Sequence, residues 1–160
     1  MISQKLQEAI NVQIAAEMWS SNLYLSMSFY FKKLGYDGFA SWMRKQSQEE
    51  LGHAYDLADY VSKRGGVAKV DKIDVVPQEW ESVLDAFENV YKHECHVSSL
   101  IDELVNVASS EKDKASQDFL WGYVREQVEE EATALGIVEK LKRCKDEASI
   151  LYMDEKLGEG

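Results

Sequence analysis

Residues 39–61 read FASWMRKQSQEELGHAYDLADYV, and this stretch decides the fold. Apolar side chains recur from Phe39 to Val61 at the three- and four-residue spacing of a helix with one buried face. Glu50 and His53 interrupt that face in the middle, one helical turn apart. A buried carboxylate needs charge compensation, so the stretch predicts both a helix and a polar site inside a helical core.

The same periodicity predicts four long helices and one short one. They cover residues 3–33, 39–64, 82 to the Ser109-Ser110 break, and 113–145, with a short amphipathic helix and tail in 146–160. Asp37 is the expected N-cap of the second helix, and Ser82-x-x-Asp85 resembles a capping box at the start of the third. We therefore expect one all-α domain over 1–160, with the bundle in 1–145.

Loop lengths predict the topology. The first and third connections are short, so each joins an antiparallel pair of helices. A 28-residue helix is about 42 Å long, and the middle connection of about 15 extended residues reaches about 50 Å. That connection can run back along the whole bundle, which predicts a four-helix bundle with one long crossover.

Each of the four apolar stripes carries a carboxylate near its middle. These residues are Glu17, Glu50, Glu94 and Glu130, and Gln127 lies one turn before the last of them. Burying four unpaired carboxylates costs several kcal/mol each, and two divalent cations neutralise them. Carboxylates with one imidazole suit iron, manganese or zinc. The alternative is a non-catalytic bundle whose core acids are protonated or paired with Lys.

Composition excludes several classes of protein. The 160 residues are 45% hydrophobic and carry a net charge of −11, so the chain is neither a disordered acidic tail nor a nucleic-acid-binding domain. No apolar run is long enough to cross a bilayer, and the first residues lack a signal-peptide core. Cys95 and Cys144 have no metal-finger spacing. We expect a cytoplasmic protein with reduced thiols, in which the acidic excess either serves solubility or binds cations.

Several motifs together resemble those of the bacterial non-haem ferritins over essentially the full length of the chain. They are Gln13-x-x-x-Glu17, Tyr24-Leu25, Gln48-Glu49-Glu50-Leu51-Gly52-His53-Ala54, Tyr91-Lys92-His93-Glu94 and Glu126-Gln127-x-Glu129-Glu130-Glu131. The resemblance implies a ferritin-like bundle in a homo-oligomeric shell of 24 subunits. It further implies a ferroxidase that oxidises Fe(II) with dioxygen or hydrogen peroxide and stores a ferric mineral.

The resemblance also implies roles for individual residues. Glu17, Glu50 and His53 would hold one iron, and Glu50, Glu94 and Glu130 the other, with Glu50 bridging. Gln127 would hydrogen-bond near the second iron, and Tyr24 would act beside the centre as a donor or electron source. A third iron site maps to Glu49, Glu126, Glu129 and Glu130. Haem binding is not expected, because Gly52 stands where haem-carrying relatives have Met.

Other features have simpler interpretations. His93 and His96 share a helix face and could form a zinc or copper site, but a structural role is favoured. The basic residues near the end of the fourth helix, Lys140, Lys142, Arg143 and Lys145, complement its dipole. The acidic character of the C-terminal helix disfavours membrane binding, and packing against symmetry mates is expected instead. Trp121 is displaced from the position usual in the family, which leaves any role near the metals in doubt.

Overall fold

The computed structural model describes residues 1–160 and contains five helices and no strand. They are α1 (Gln4–Lys33), α2 (Asp37–Lys63), α3 (Val83–Ser110), α4 (Lys114–Lys142) and α5 (Glu147–Gly158). The bundle pairs α1 with α2 and α3 with α4, and α5 lies against α2. This arrangement confirms the all-α four-helix bundle with a short C-terminal helix. No helix is both long enough and apolar enough to span a membrane.

The crossover, residues 64–82, is extended and runs along α1. Near the start of α1, the Asn11 side chain donates to the Val67 carbonyl at 3.0 Å and accepts from the Lys69 N–H at 2.9 Å. Near its end, the Tyr30 hydroxyl donates to the carbonyl of Trp80 at 2.9 Å. The crossover therefore spans most of the length of the bundle, as its length predicts.

Four of the five helices begin with a side-chain cap. The first free N–H groups of α1, α3, α4 and α5 are bound by Ser3, Ser82, Asp113 and Asp146. At α3, the Asp85 carboxylate accepts from the Glu81 N–H rather than from that of Ser82, so the predicted capping box is only half formed.

The start of α2 differs from the prediction. Asp37 is the first helical residue rather than the cap, and Tyr36 occupies the cap position but its side chain does not cap a helix N–H. The missing acceptor comes from α5, where Asp154 Oδ1 accepts from the Phe39 N–H at 2.7 Å. A residue distant in sequence thus satisfies a donor that a helix start otherwise leaves free.

Helix α5 lies unusually close to α2. A Cβ atom on Gly38 would fall 1.7 Å from the Asp154 carbonyl oxygen, and one on Gly158 would fall 2.9 Å from the Gly38 Cα. Only glycine permits this approach. The Tyr36 hydroxyl also donates to Glu147 Oε1 at 2.8 Å. The C-terminal helix therefore packs against its own chain, an arrangement that the sequence pattern did not predict.

The core consists of two apolar clusters at opposite ends of the bundle. One is built around Phe31, Phe39 and Phe87, and the other around Leu57 and Leu120, all with no exposed surface. Burial of each such side chain contributes about 1.5–3 kcal/mol. Between the clusters lies a layer of buried polar side chains, so the bundle stays folded around a site that is itself costly to bury.

Replacing Asp154 tests the connection between α5 and α2. Asp154→Ala removes the only side-chain acceptor at the start of α2, and loss of a cap costs about 0.5–2 kcal/mol. We expect faster hydrogen–deuterium exchange in the peptide around Phe39, measured by mass spectrometry. Glu155→Ala is the matched control, because Glu155 is an exposed acidic neighbour on the same helix. Equal protection in both variants would contradict the capping role.

Candidate metal centre

All four bundle helices contribute to the polar layer. The contributing residues are Glu17 from α1, Glu50 and His53 from α2, Glu94 from α3, and Gln127 and Glu130 from α4. Glu17, Glu50 and Glu94 are only 1%, 2% and 2% exposed. The structure therefore brings Glu17, Glu50 and His53 together between the two apolar clusters, with Glu94 hydrogen-bonded to Gln127 beside them. Glu130 is only partly buried.

One group has the geometry of a metal site. Glu17, Glu50 and His53 each offer one ligand atom, and these atoms lie within 4.8 Å of one another. His53 Nδ1 lies 3.8 Å from Glu17 Oε2 and 3.5 Å from Glu50 Oε2. Glu17 Oε2 is buried and has no hydrogen-bond partner. A cation placed among these atoms would give that oxygen the partner that it lacks.

The far side of the His53 ring is held by Glu126. His53 Nε2 lies 2.9 Å from Glu126 Oε1, an arrangement that turns Nδ1 toward Glu17 and Glu50. Histidine ligands of metals are commonly oriented in this way by a carboxylate on the other ring nitrogen. Glu126 is a predicted ligand of a third iron, and here one of its oxygens is engaged by His53.

Glu94 is fixed through both of its carboxylate oxygens. The Tyr24 hydroxyl donates to Oε1, and Gln127 Nε2 donates to Oε2 at 3.1 Å. Burial, followed by the charge of Glu94, raises the pKa of Tyr24 well above its usual value, so the phenol stays neutral and keeps its proton to donate. The structure thus places Tyr24 and Gln127 in contact with one of the predicted ligands.

The remaining predicted acids lie on the outer side of the centre. Glu130 and Glu126 are partly buried, whereas Glu49 and Glu129 are exposed. Burial and then the charges of Glu94, Glu49 and Glu126 raise the pKa of Glu130 to about 7. The compact group of ligand atoms contains none of these outer carboxylates. The third iron site therefore stays a prediction.

The ion pairs contradict the alternative in which Lys compensates the core acids. No Lys or Arg lies within 4.0 Å of Glu17, Glu50, Glu94 or Glu130, and the ion-pair partner of Glu17 and Glu50 is His53. Burial, followed by the charges of nearby acids, raises the pKa of Glu50 to about 9. Burial also raises the pKa of Glu17, but the nearby His53, followed by Glu50 and Gln13, outweighs the effect of burial and the net shift is downward.

Three residues around the centre were given no role by the sequence analysis. Gln13 Nε2 donates to Glu17 Oε1 at 3.1 Å, one turn earlier on the same helix. Ser98 and Glu131 lie on the far side of Gln127, where the Ser98 hydroxyl donates to the Glu131 carboxylate. Spacing could have found Gln13, because a residue at i−4 shares its face. The contact of Ser98 with Glu131 joins two helices, and spacing within one helix does not show it.

Of the two histidines on α3, His93 is held inside the bundle and His96 is exposed. His93 Nε2 lies 2.7 Å from the Ser20 hydroxyl, and its ring packs against that of Trp19. Burial, with a smaller effect of His96, lowers the pKa of His93 to about 4. The two imidazole centroids are 6.5 Å apart. Trp121 is 47% exposed on the bundle surface.

Comparison with known proteins places the fold and the site in one family. The family model described as a ferritin-like domain matches residues 7–144. A bacterial non-heme ferritin of Bacteroides fragilis is 69% identical over 159 residues, which cover 99% of each chain. The chain belongs to the ferritin family. Its resemblance to the bacterial non-haem ferritins is thereby confirmed.

Less similar ferritins also match this chain over nearly its whole length. A bacterial non-heme ferritin of Campylobacter jejuni is 34% identical over 98% of this chain and 93% of its own. An open-pore ferritin of the hyperthermophilic archaeon Archaeoglobus fulgidus superposes with a TM-score of 0.97 at 52% identity, covering 99% of this chain and 98% of its own. The ferritin fold therefore extends over the whole chain, α5 included.

Proton release on metal binding tests the electrostatics of the centre. In the metal-free ferritin, Glu50 holds a proton below a pKa of about 9 and Glu130 below about 7. A metal must displace these protons. We therefore expect the affinity for a divalent metal to rise as the pH increases from about 6 to about 9. Calorimetric titration in buffers of different ionisation enthalpy counts the protons, and an affinity independent of pH would contradict the assignment.

Proposed function

We propose that this ferritin stores iron by binding Fe(II) inside the bundle, oxidising it and depositing the ferric product within a shell of subunits. The observation that carries the proposal is the buried group of Glu17, Glu50 and His53, with one carboxylate oxygen left without a partner. Such a group in the centre of a ferritin bundle is suited to a cation. The function is that of a ferroxidase with Fe(II) as its substrate.

Two irons fit the donor set. Glu17, Glu50 and His53 would bind the first, and Glu50, Glu94 and Glu130 the second, with Glu50 shared. Four carboxylates carry a formal charge of −4, which two Fe(II) ions balance. Glu49, Glu126, Glu129 and Glu130 are proposed as a third, outer site. Because Glu49 and Glu129 are exposed, this outer site suits iron that is passing through better than iron that stays bound.

The chemistry is a transfer of two electrons. Each Fe(II) gives up one electron, and the two electrons, with two protons from solvent, reduce dioxygen to hydrogen peroxide or hydrogen peroxide to two water molecules. Negative oxygen donors stabilise Fe(III) more than Fe(II), because the attraction grows with the charge of the ion. The protein supplies the carboxylates that favour the product and the orientation of His53 by Glu126. The neutral Tyr24 phenol is proposed as a hydrogen-bond donor or electron source beside Glu94.

A homo-oligomer of 24 chains is proposed for storage, because a single bundle has no interior for a mineral. Exposed apolar side chains support the assembly. A groove of about 880 Å³ lies between α1 and the crossover, and its lining includes Phe29, Tyr30 and Trp80. Phe29 is 65% exposed and Val75 83% exposed in the single chain. A location in the cytoplasm stays a prediction.

Removing two ligands tests the oxidation site. The double variant Glu50→Ala, His53→Ala should lose the rapid rise in ferric absorbance after aerobic addition of two Fe(II) per chain, with a rate at least about ten-fold lower. Asp59→Ala, an exposed acid on the same helix, should oxidise iron at the original rate. An unchanged rate in the double variant would place oxidation elsewhere.

Assembly is tested independently of oxidation. Light scattering coupled to size-exclusion chromatography should give a mass near twenty-four times the 18.3 kDa of one chain. A monomer or small oligomer at micromolar concentration would rule out the shell, whatever the oxidation rate.

A further inference from the structure

We propose that Ser98 and Glu131 are positioning residues that, together with the backbone carbonyl of Glu94, hold the nitrogen end of the Gln127 amide toward the Glu94 carboxylate. The inference rests on the proposed function, because Glu94 is there a ligand of the second iron. Neither residue is in the proposed ligand set. The contacts that carry the inference form one chain across α3 and α4, from Glu131 through Ser98 and Gln127 to Glu94.

The shape of the Gln127 amide does not determine its orientation, so the surrounding hydrogen-bonding groups do. Its two ends have nearly the same shape, but one donates hydrogen bonds and the other accepts them. The nitrogen lies 3.1 Å from Glu94 Oε2, 3.2 Å from the backbone carbonyl oxygen of Glu94 and 3.3 Å from the Ser98 oxygen. With the amide reversed, its carbonyl oxygen would face two other acceptors, the carboxylate and the backbone carbonyl of Glu94. The Glu94 side chain would then have to turn away.

Ser98 discriminates between the two orientations. A hydroxyl has a single proton and can accept through its oxygen at the same time. If the Ser98 hydroxyl donates its hydrogen bond to another group, its oxygen can only accept from Gln127, and the amide must present its nitrogen. If the hydroxyl has no other acceptor, it can instead donate to the amide oxygen. A Ser98 hydroxyl that can only accept therefore adds to the preference for the nitrogen end that the two Glu94 oxygens already set.

Glu131 accepts the hydrogen bond that the Ser98 hydroxyl donates. The Ser98 hydroxyl has two acceptors within reach, the Glu131 carboxylate and, at 3.1 Å, the backbone carbonyl of Glu94. A charged acceptor forms the stronger bond. Glu131 is itself held across the helix pair, because Cys95 Sγ lies 3.5 Å from its Oε1. Glu131 thus strengthens the arrangement in which the Ser98 oxygen accepts from Gln127.

The consequence reaches the metal centre through Glu94. With the amide nitrogen toward it, Glu94 receives one donor on each oxygen, from Gln127 and from Tyr24. These two donors hold the carboxylate in one orientation. Ser98 and Glu131 therefore act on the second metal position without touching the metal.

The test uses Co(II) as a metal that binds without being oxidised by the centre. Calorimetry and the visible absorption of bound Co(II) report the number and affinity of bound ions in the assembled protein. Ser98→Ala and Glu131→Ala should each lower the affinity for one of the two Co(II) ions by about ten-fold or more, as is typical when a residue that orients a ligand is lost. The double variant should be no weaker than either, because both break the same chain.

Glu131→Gln separates orientation from charge. Its amide oxygen can still accept the Ser98 proton, so this variant should bind both ions nearly as the original protein does. Ser99→Ala, an exposed neighbour that bonds only to its own helix, is the control for Ser98. Equal losses in Glu131→Gln and Glu131→Ala would overturn the inference in favour of a charge effect, and unchanged binding in Ser98→Ala would overturn it outright. Failure of the unsubstituted protein to bind Co(II) would instead contradict the proposed function, and this inference with it.

Discussion

The cluster of carboxyl groups buried in the middle of the bundle is the constraint on which the rest of the structure depends. Glu17, Glu50 and Glu94 are almost fully buried, and the single basic group among them is His53. Burying a carboxyl group in its charged form costs several kcal/mol. The two apolar clusters on either side provide the compensating free energy. The fold thus maintains a site whose unfavourable electrostatics are relieved by a cation.

Much of this architecture was predictable from the sequence, because a helix with one buried face places apolar residues at a regular spacing. The bundle, its long crossover and the four core carboxylates follow from apolar stripes and from the residues that interrupt them. Boundaries were less exact: α4 ends at Lys142 rather than at 145, and α2 begins at Asp37 rather than at Phe39. Asp37 has the chemistry of a cap, but a tertiary contact supplies the cap of α2 instead.

Contacts between helices could not be predicted in the same way. Glu126 resembles an outer metal ligand in its spacing, yet it bonds to the His53 ring across the bundle. Ser98 and Glu131 resemble ordinary helix residues, and only the packing of α3 on α4 brings them together with Gln127. Spacing reports which residues share a face, whereas these roles depend on what the neighbouring helix places opposite that face.

The contact between α5 and α2 has a consequence for the order of folding. Asp154 lies 115 residues after the Phe39 amide that it caps. A chain made from its N-terminus exposes α2 long before α5 has left the ribosome. The first turn of the helix that carries Glu50 and His53 therefore gains its cap only after α5 has been synthesised. The last of the five helices to be made thus completes the helix that carries two of the proposed metal ligands.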